Sequence, residues 1–191
     1  MTGSESSDPR AVRSRQVITD TAVELLVEHG LTGTTIEAIS ARSGVAKTTI
    51  YRHWPDKRAL LLAAVEATIP AAALPDSGSL HGDLEVFTDD LARIVTTPPT
   101  SALIPALIDA AERDTEVASL LAHFTAERRK PLRAAIGRAI ERGELQSDRD
   151  LDVIDDLLLG PLFYRRLLSR RPITPEFTKI VTNMLVAALR A

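Results

Sequence analysis

Apolar residues recur along most of this chain at the three- and four-residue spacing of helices that bury one side. Val17, Ile18, Ala22, Leu25 and Leu26 form such a stripe, and Gly30 stands where that first helix should stop. Ile36 and Ile39 give a short second helix one apolar side. Thr34 or Thr35 can cap it, with Glu37 three residues after Thr34 to complete a capping box. Gly44 can take the left-handed conformation that ends a helix. Residues 47–53 then depart from the pattern: Ile50 is the one strongly apolar residue among Lys47, Thr48, Thr49, Tyr51, Arg52 and His53.

The helical spacing resumes downstream. Asp56 can cap a helix over 57–68 that carries Leu60, Leu61, Ala64 and Val65. Residues 70–79 hold two prolines and a glycine and read as a loop and a boundary. Further helices are expected over 84–95, over 101–113 with Pro105 in its first turn, and over 115–141. Thr115 can cap the last of these, with a kink or break before Pro131 and a stop at Gly143. Two more, over 150–169 and 176–190, close the chain, with no convincing period-two stretch anywhere. The fold expected is all-α with about nine helices: a flexible tail at 1–9, a three-helix head carrying a helix-turn-helix at 10–68, and a helical body for ligand binding and dimerisation at 80–191.

A helix that is nearly all donors and cations has little to bury, and on the second arm of a helix-turn-helix it suits a DNA groove. The net charge of −3 gives no such hint. Locally, however, Arg42, Lys47, Arg52, Lys57 and Arg58 face one anion, Asp56. Arg10, Arg13 and Arg15 head the first helix; they are either a solvated helix end or an arm reaching DNA phosphate or minor groove. The absence of cysteine excludes disulfides and thiolate metal sites. With no apolar leader at the start and no apolar run of membrane-spanning length, a cytoplasmic protein is expected.

The pattern of Thr35, Ile36, Ile39, Ala41, Gly44, Val45, Thr49, Ile50, Tyr51, His53, Trp54, Lys57, Leu60 and Leu61 resembles the DNA-binding head of the tetracycline-repressor (TetR) family over residues 12–66. The resemblance implies a homodimeric transcription regulator, most often a repressor, released from a palindromic operator in double-stranded DNA by a small-molecule effector. It implies phosphate contacts by Thr35, Tyr51 and Lys57, and base or adjacent phosphate contacts by Lys47, Thr48 and Thr49; Arg52, on the same polar helix, is a further candidate for DNA contact. His53 matches a conformationally important position. Ala46 departs from the family pattern, where a serine often caps the recognition helix, so Thr48 or a backbone carbonyl must serve.

The last two predicted helices are apolar on more than one side. Together with the resemblance this makes Leu158, Pro161, Leu162, Arg165, Phe177, Ile180, Val181, Met184, Leu185 and Ala188 candidates for a four-helix dimer interface, the alternative being that they close the protomer's own core. Leu91, Ile94, Leu103, Leu107, Leu121, Phe124, Leu158 and Phe163 are candidates to line an effector pocket, though core packing explains them equally well. Asp109, Glu112 and His123 are either polar anchors for that pocket or, as expected here, solvent-exposed. No catalytic group, metal site or cofactor is expected: the four histidines form no i, i+4 pair, and no phosphate-binding or nucleophile motif occurs. The alternative is a helical ligand carrier or protein-interaction module with a vestigial helix-turn-helix, which would have no need to keep Lys47, Arg52 and Lys57.

Overall fold

The computed structural model describes residues 9–146, 148 and 150–190. The expected tail therefore lies outside the described residues except for Pro9, which opens the first helix. Nine α-helices are present among the described residues: α1 (Pro9–Gly33), α2 (Ile36–Ser43), α3 (Lys47–His53), α4 (Lys57–Thr68), α5 (Leu80–Thr96), α6 (Thr100–Ala111), α7 (Thr115–Glu141), α8 (Leu151–Phe163) and α9 (Pro175–Arg190). No strand occurs among these residues. One unit comprises the described residues up to Ile69 together with Ala106–Leu120; the other comprises Pro70–Pro105 and the rest of the chain from Leu121. The segment Ala106–Leu120 is thus grouped with the head, which no composition change in the sequence marks.

In the first unit α1 packs on α2 and α4, and α2 packs on α3. Ile18, Ala22, Leu25 and Leu26 of α1 meet a core that includes Ile36, Ile39, Ile50, Leu60, Ala64 and Val65. Val17, expected in the inward stripe, is 39% exposed. At about 100° per residue it falls at the edge of the arc centred on Ile18, Ala22 and Leu25. Gly30 breaks α1 with φ 64°, before a last turn to Gly33.

The second unit is built around α5, which packs on α8 and α9. Its core joins Leu84, Phe87 and Leu91 of α5 to Leu132 and Ile136 of α7, Ile154, Leu158 and Leu162 of α8, and Leu185 and Leu189 of α9. Two predicted details of α7 are corrected. Asp114 caps it, accepting from the amides of Glu116 and Val117, because a carboxylate outcompetes the neighbouring hydroxyl. The helix also runs through Pro131 as one element, so of the expected kink or break the break does not occur. At Gly143 (φ 75°) it ends as expected, with the Glu144 amide reaching back to the Ala139 carbonyl at 2.9 Å.

Two buried carboxylates sit on otherwise apolar helix faces. Asp83 is fully buried and accepts from the Ser77 amide (2.7 Å) and hydroxyl (2.6 Å), with Arg138 at 3.5 Å. Burial pushes its pKa up most strongly, but the Ser77 and Arg138 contacts together outweigh it and leave the pKa lowered. Asp155 of α8 is likewise enclosed and accepts from Arg133 of α7 at 2.9 Å. Here burial wins and raises the pKa against the pull of Arg133 and Arg129. Among the described residues no single helix is long and apolar enough to cross a membrane.

Candidate nucleic-acid interface

The helix-turn-helix is held by caps at its flanks. Thr35 caps α2, its hydroxyl accepting from the Ala38 amide at 3.1 Å. Thr34 turns inward instead and donates to the Gly30 carbonyl at 2.8 Å. The expected capping box is therefore absent: the third helical position after Thr35 is Ala38, and Glu37 points outward to pair with Lys47 at 2.6 Å. Gly44, at φ 70°, returns its amide to the Ser40 carbonyl and turns the chain toward α3. The Ser40 hydroxyl donates to the Val45 carbonyl at 2.8 Å and fastens the turn.

The start of α3 falls at Lys47. No side chain caps it; the Ala46 carbonyl accepts from Thr49 (2.8 Å) and Ile50 (3.2 Å). Thr48 therefore plays no capping part. Ile50 is the single buried residue of α3, and Lys47, Thr48, Tyr51 and Arg52 are exposed. Those four occupy positions i, i+1, i+4 and i+5, one continuous helix face. Thr49 and His53 are half-buried at its margin. Asp56 caps α4 as expected, accepting from Ala59 at 2.7 Å. Lys57 opens α4, and its ammonium lies 3.4 Å from the Leu31 carbonyl.

His53 is held from two sides at the end of α3. Its Nδ1 lies 3.2 Å from Arg15 Nε. Arginine carries no acceptor, so the imidazole nitrogen must accept and the ring proton belongs on Nε2. That Nε2 is buried without a partner among the described residues. Burial, then the charges of Arg15 and Arg52, lower the His53 pKa and keep the ring neutral. The ring also meets Trp54 edge to face, with centroids 5.5 Å apart.

Residues 18–64 match the family described as bacterial regulatory proteins, tetR family, and residues 74–185 match the tetracyclin repressor-like C-terminal domain. The chain belongs to the TetR family. It is similar to the uncharacterized HTH-type transcriptional regulator YdeS of Bacillus subtilis, at 30% identity over 92% of this chain and 89% of that protein. The DNA-binding transcriptional repressor TetR of Mycobacteroides abscessus is 30% identical over 88% of this chain and 90% of its own. Among solved structures, the TetR family transcription regulator SCO0332 superposes with a TM-score of 0.69 at 30% identity, covering 92% of this chain and 97% of that one. This TetR-family chain is thus a helix-turn-helix, DNA-binding transcriptional regulator.

The other predicted sites divide by burial. Leu158, Leu162, Val181 and Leu185, expected at a dimer interface, are enclosed within the protomer's own core. They complete the same apolar layer as α5, so they are core rather than surface. Ile180 (55% exposed), Met184 (69%) and Ala188 do face outward, joined by Val153 and Leu157, which sequence reasoning missed. Pro161 is half-buried, and Phe177 lies under the Arg165 guanidinium at 3.7 Å. A groove of about 290 Å³ runs between α8 and α9, lined by Asp148, Asp150, Val153, Ile154, Leu157, Leu185, Ala188 and Leu189. Of the effector-pocket candidates, Leu91, Ile94, Leu103, Leu107, Phe124 and Leu158 are buried, Leu121 and Phe163 are half-buried, and none lines this groove. Asp109, Glu112 and His123 are exposed, as expected.

Proposed function

We propose that the protein is a repressor that binds a palindromic operator as a homodimer through the exposed face of α3 and leaves it when a small-molecule effector occupies the body. The observation that carries this reading is the α3 face itself: Lys47, Thr48, Tyr51 and Arg52 are presented together over one buried anchor, Ile50. In this arrangement Lys47 and Thr48 reach base edges, with Thr49 and Arg52 at bases or the adjacent phosphates, while Thr35, Tyr51 and Lys57 hold phosphates. Thr35 and Lys57 flank helix N-termini, where free amides and the helix dipole favour an anion. Lys47 must leave Glu37 to reach a base, and an exposed ion pair of that kind opposes the move only weakly.

The exposed apolar residues Ile180, Met184, Val153 and Leu157 supply a surface for the second protomer. Two-fold pairing would set the recognition helices one turn of DNA apart, about 34–36 Å. Effector binding that favours a different separation of the heads would lower operator affinity as a population shift. The site of action is the cytoplasm.

Band-shift titration tests the reading. Lys47→Ala and Thr48→Ala should relax sequence preference, by about 1–3 kcal/mol for a lost bidentate base contact. Lys57→Ala should weaken specific and random duplex alike. Met184→Asp, at an exposed position, should give folded monomers with weak operator binding, and dimers of that variant in sedimentation would refute the assigned interface.

A further inference from the structure

Arg15 is not explained by its own helix. Its side chain is exposed, yet it is tied across 38 residues to the last residue of α3 through one bond, Nε to His53 Nδ1. Its two terminal nitrogens have no partner among the described residues. The next residue back along α3, Arg52, also lacks a carboxylate partner among them, and both cations act on the same neutral imidazole. Two other cations of the head are paired with carboxylates, Arg42 with Glu28 and Lys47 with Glu37, both at 2.6 Å, whereas Lys57 reaches the Leu31 carbonyl. Two guanidinium groups that act on one imidazole with no carboxylate paired to either repel one another in the free protein. A nearby anion turns that repulsion into attraction, and guanidinium nitrogens suit phosphate oxygens in particular.

We propose that Arg15 is a phosphate-binding residue of the DNA interface and that His53 is the positioning residue that holds it there. The inference rests on the DNA-binding reading above. With Nε spent on His53, the rotation of the guanidinium is fixed and both Nη groups are left for one phosphate beside the C-terminal end of α3. A neutral His53 is required, because a proton on Nδ1 would remove the acceptor. The edge contact with Trp54 helps hold the ring in place. Arg15 thereby differs from the base-reading residues: it adds affinity without sequence preference.

The test is the salt dependence of duplex binding by the full-length dimer, measured by fluorescence anisotropy on a selected operator and on random duplex. Loss of one phosphate contact per protomer should lower the slope of log K against log salt by about 1.8 in magnitude, at about 0.9 for each contact. Arg15→Ala should show that fall and should weaken both duplexes by the same factor. His53→Ala should weaken binding in the wild-type background and add nothing in the Arg15→Ala background, and His53→Asn, whose amide oxygen can accept in place of Nδ1, should restore affinity. An unchanged slope in Arg15→Ala, with the wild type binding its operator, overturns the proposal and leaves the DNA-binding reading standing. Additive losses for Arg15→Ala and His53→Ala overturn the positioning role. Failure of the wild type to bind any duplex overturns both readings. Arg15 is exposed, so its variant keeps the test decisive even if His53→Ala fails to fold.

Discussion

α3 and α9 use their residues in opposite ways. α9 has 16 residues and buries Thr178, Val181, Thr182, Leu185, Val186 and Leu189 along one continuous face. It would be held in place by packing whatever its ends did. α3 has seven residues and buries Ile50 alone, with no side chain capping its start. Seven residues are far too few for an isolated helix in water. Its shape is supplied by neighbours: the Gly44 turn and the Ser40–Val45 bond before it, and the Asp56-capped α4 after it. A helix whose outer face must meet another molecule cannot also use that face for its own stability, so the support is moved to the flanks.

Breaking the single anchor should have the largest effect. Ile50→Ala removes the only buried side chain of α3 and should cost about 2–5 kcal/mol in denaturant unfolding, with specific DNA binding lost as well. Leu185→Ala should cost a similar amount in the body and spare the α3 surface. If Ile50→Ala were no more costly than an exposed substitution, α3 would have support other than its anchor. Next comes the flank: Asp56→Ala removes the α4 cap and should lower stability by about 1 kcal/mol in the same assay. In the other direction, Ala46→Ser gives α3 the cap it lacks and should add about 0.5 kcal/mol. The backbone of Ala46 (φ −59°, ψ 140°) needs no change to accept it.

The pH dependence sharpens the contrast from the side of the body. Asp83 has a folded pKa lowered by the Ser77 and Arg138 contacts against the upward push of burial. A lowered folded pKa means stability that is present above the unfolded value and is lost as pH falls through the folded one. Unfolding midpoints followed below about pH 4 should therefore drop in the wild type and drop less steeply in Asp83→Asn. An equal slope in the two would show that Asp83 does not carry this linkage.

Much of this was legible in the sequence, for physical reasons that differ by region. The helices of the body follow from apolar spacing, and the Asp56 cap and the Gly44 and Gly143 stops follow from local chemistry. Long-range pairings were not legible. Nothing in the spacing joins Arg15 to His53, or sends Glu37 to Lys47 in place of the Thr34 capping box, because those contacts depend on how α1, α2 and α3 cross. The interface candidates failed in part for a related reason. On α8 and α9 the sequence shows that two sides are apolar but does not say which side α5 covers; Leu158 and Leu162 went to the core and Ile180 and Met184 to the surface. Asp83 carried a signal that was passed over, a carboxylate set between Leu80, Leu84 and Phe87 on the inward face.

The most direct test of the central claim is selection of duplex from a random pool by the full-length protein, run beside Lys47→Ala. The account predicts a palindrome with half-sites about one helical turn apart, enriched by the wild type and blurred at the bases facing α3 in the variant. Selection of the same sharp palindrome by both proteins, or of no sequence by either, would contradict it.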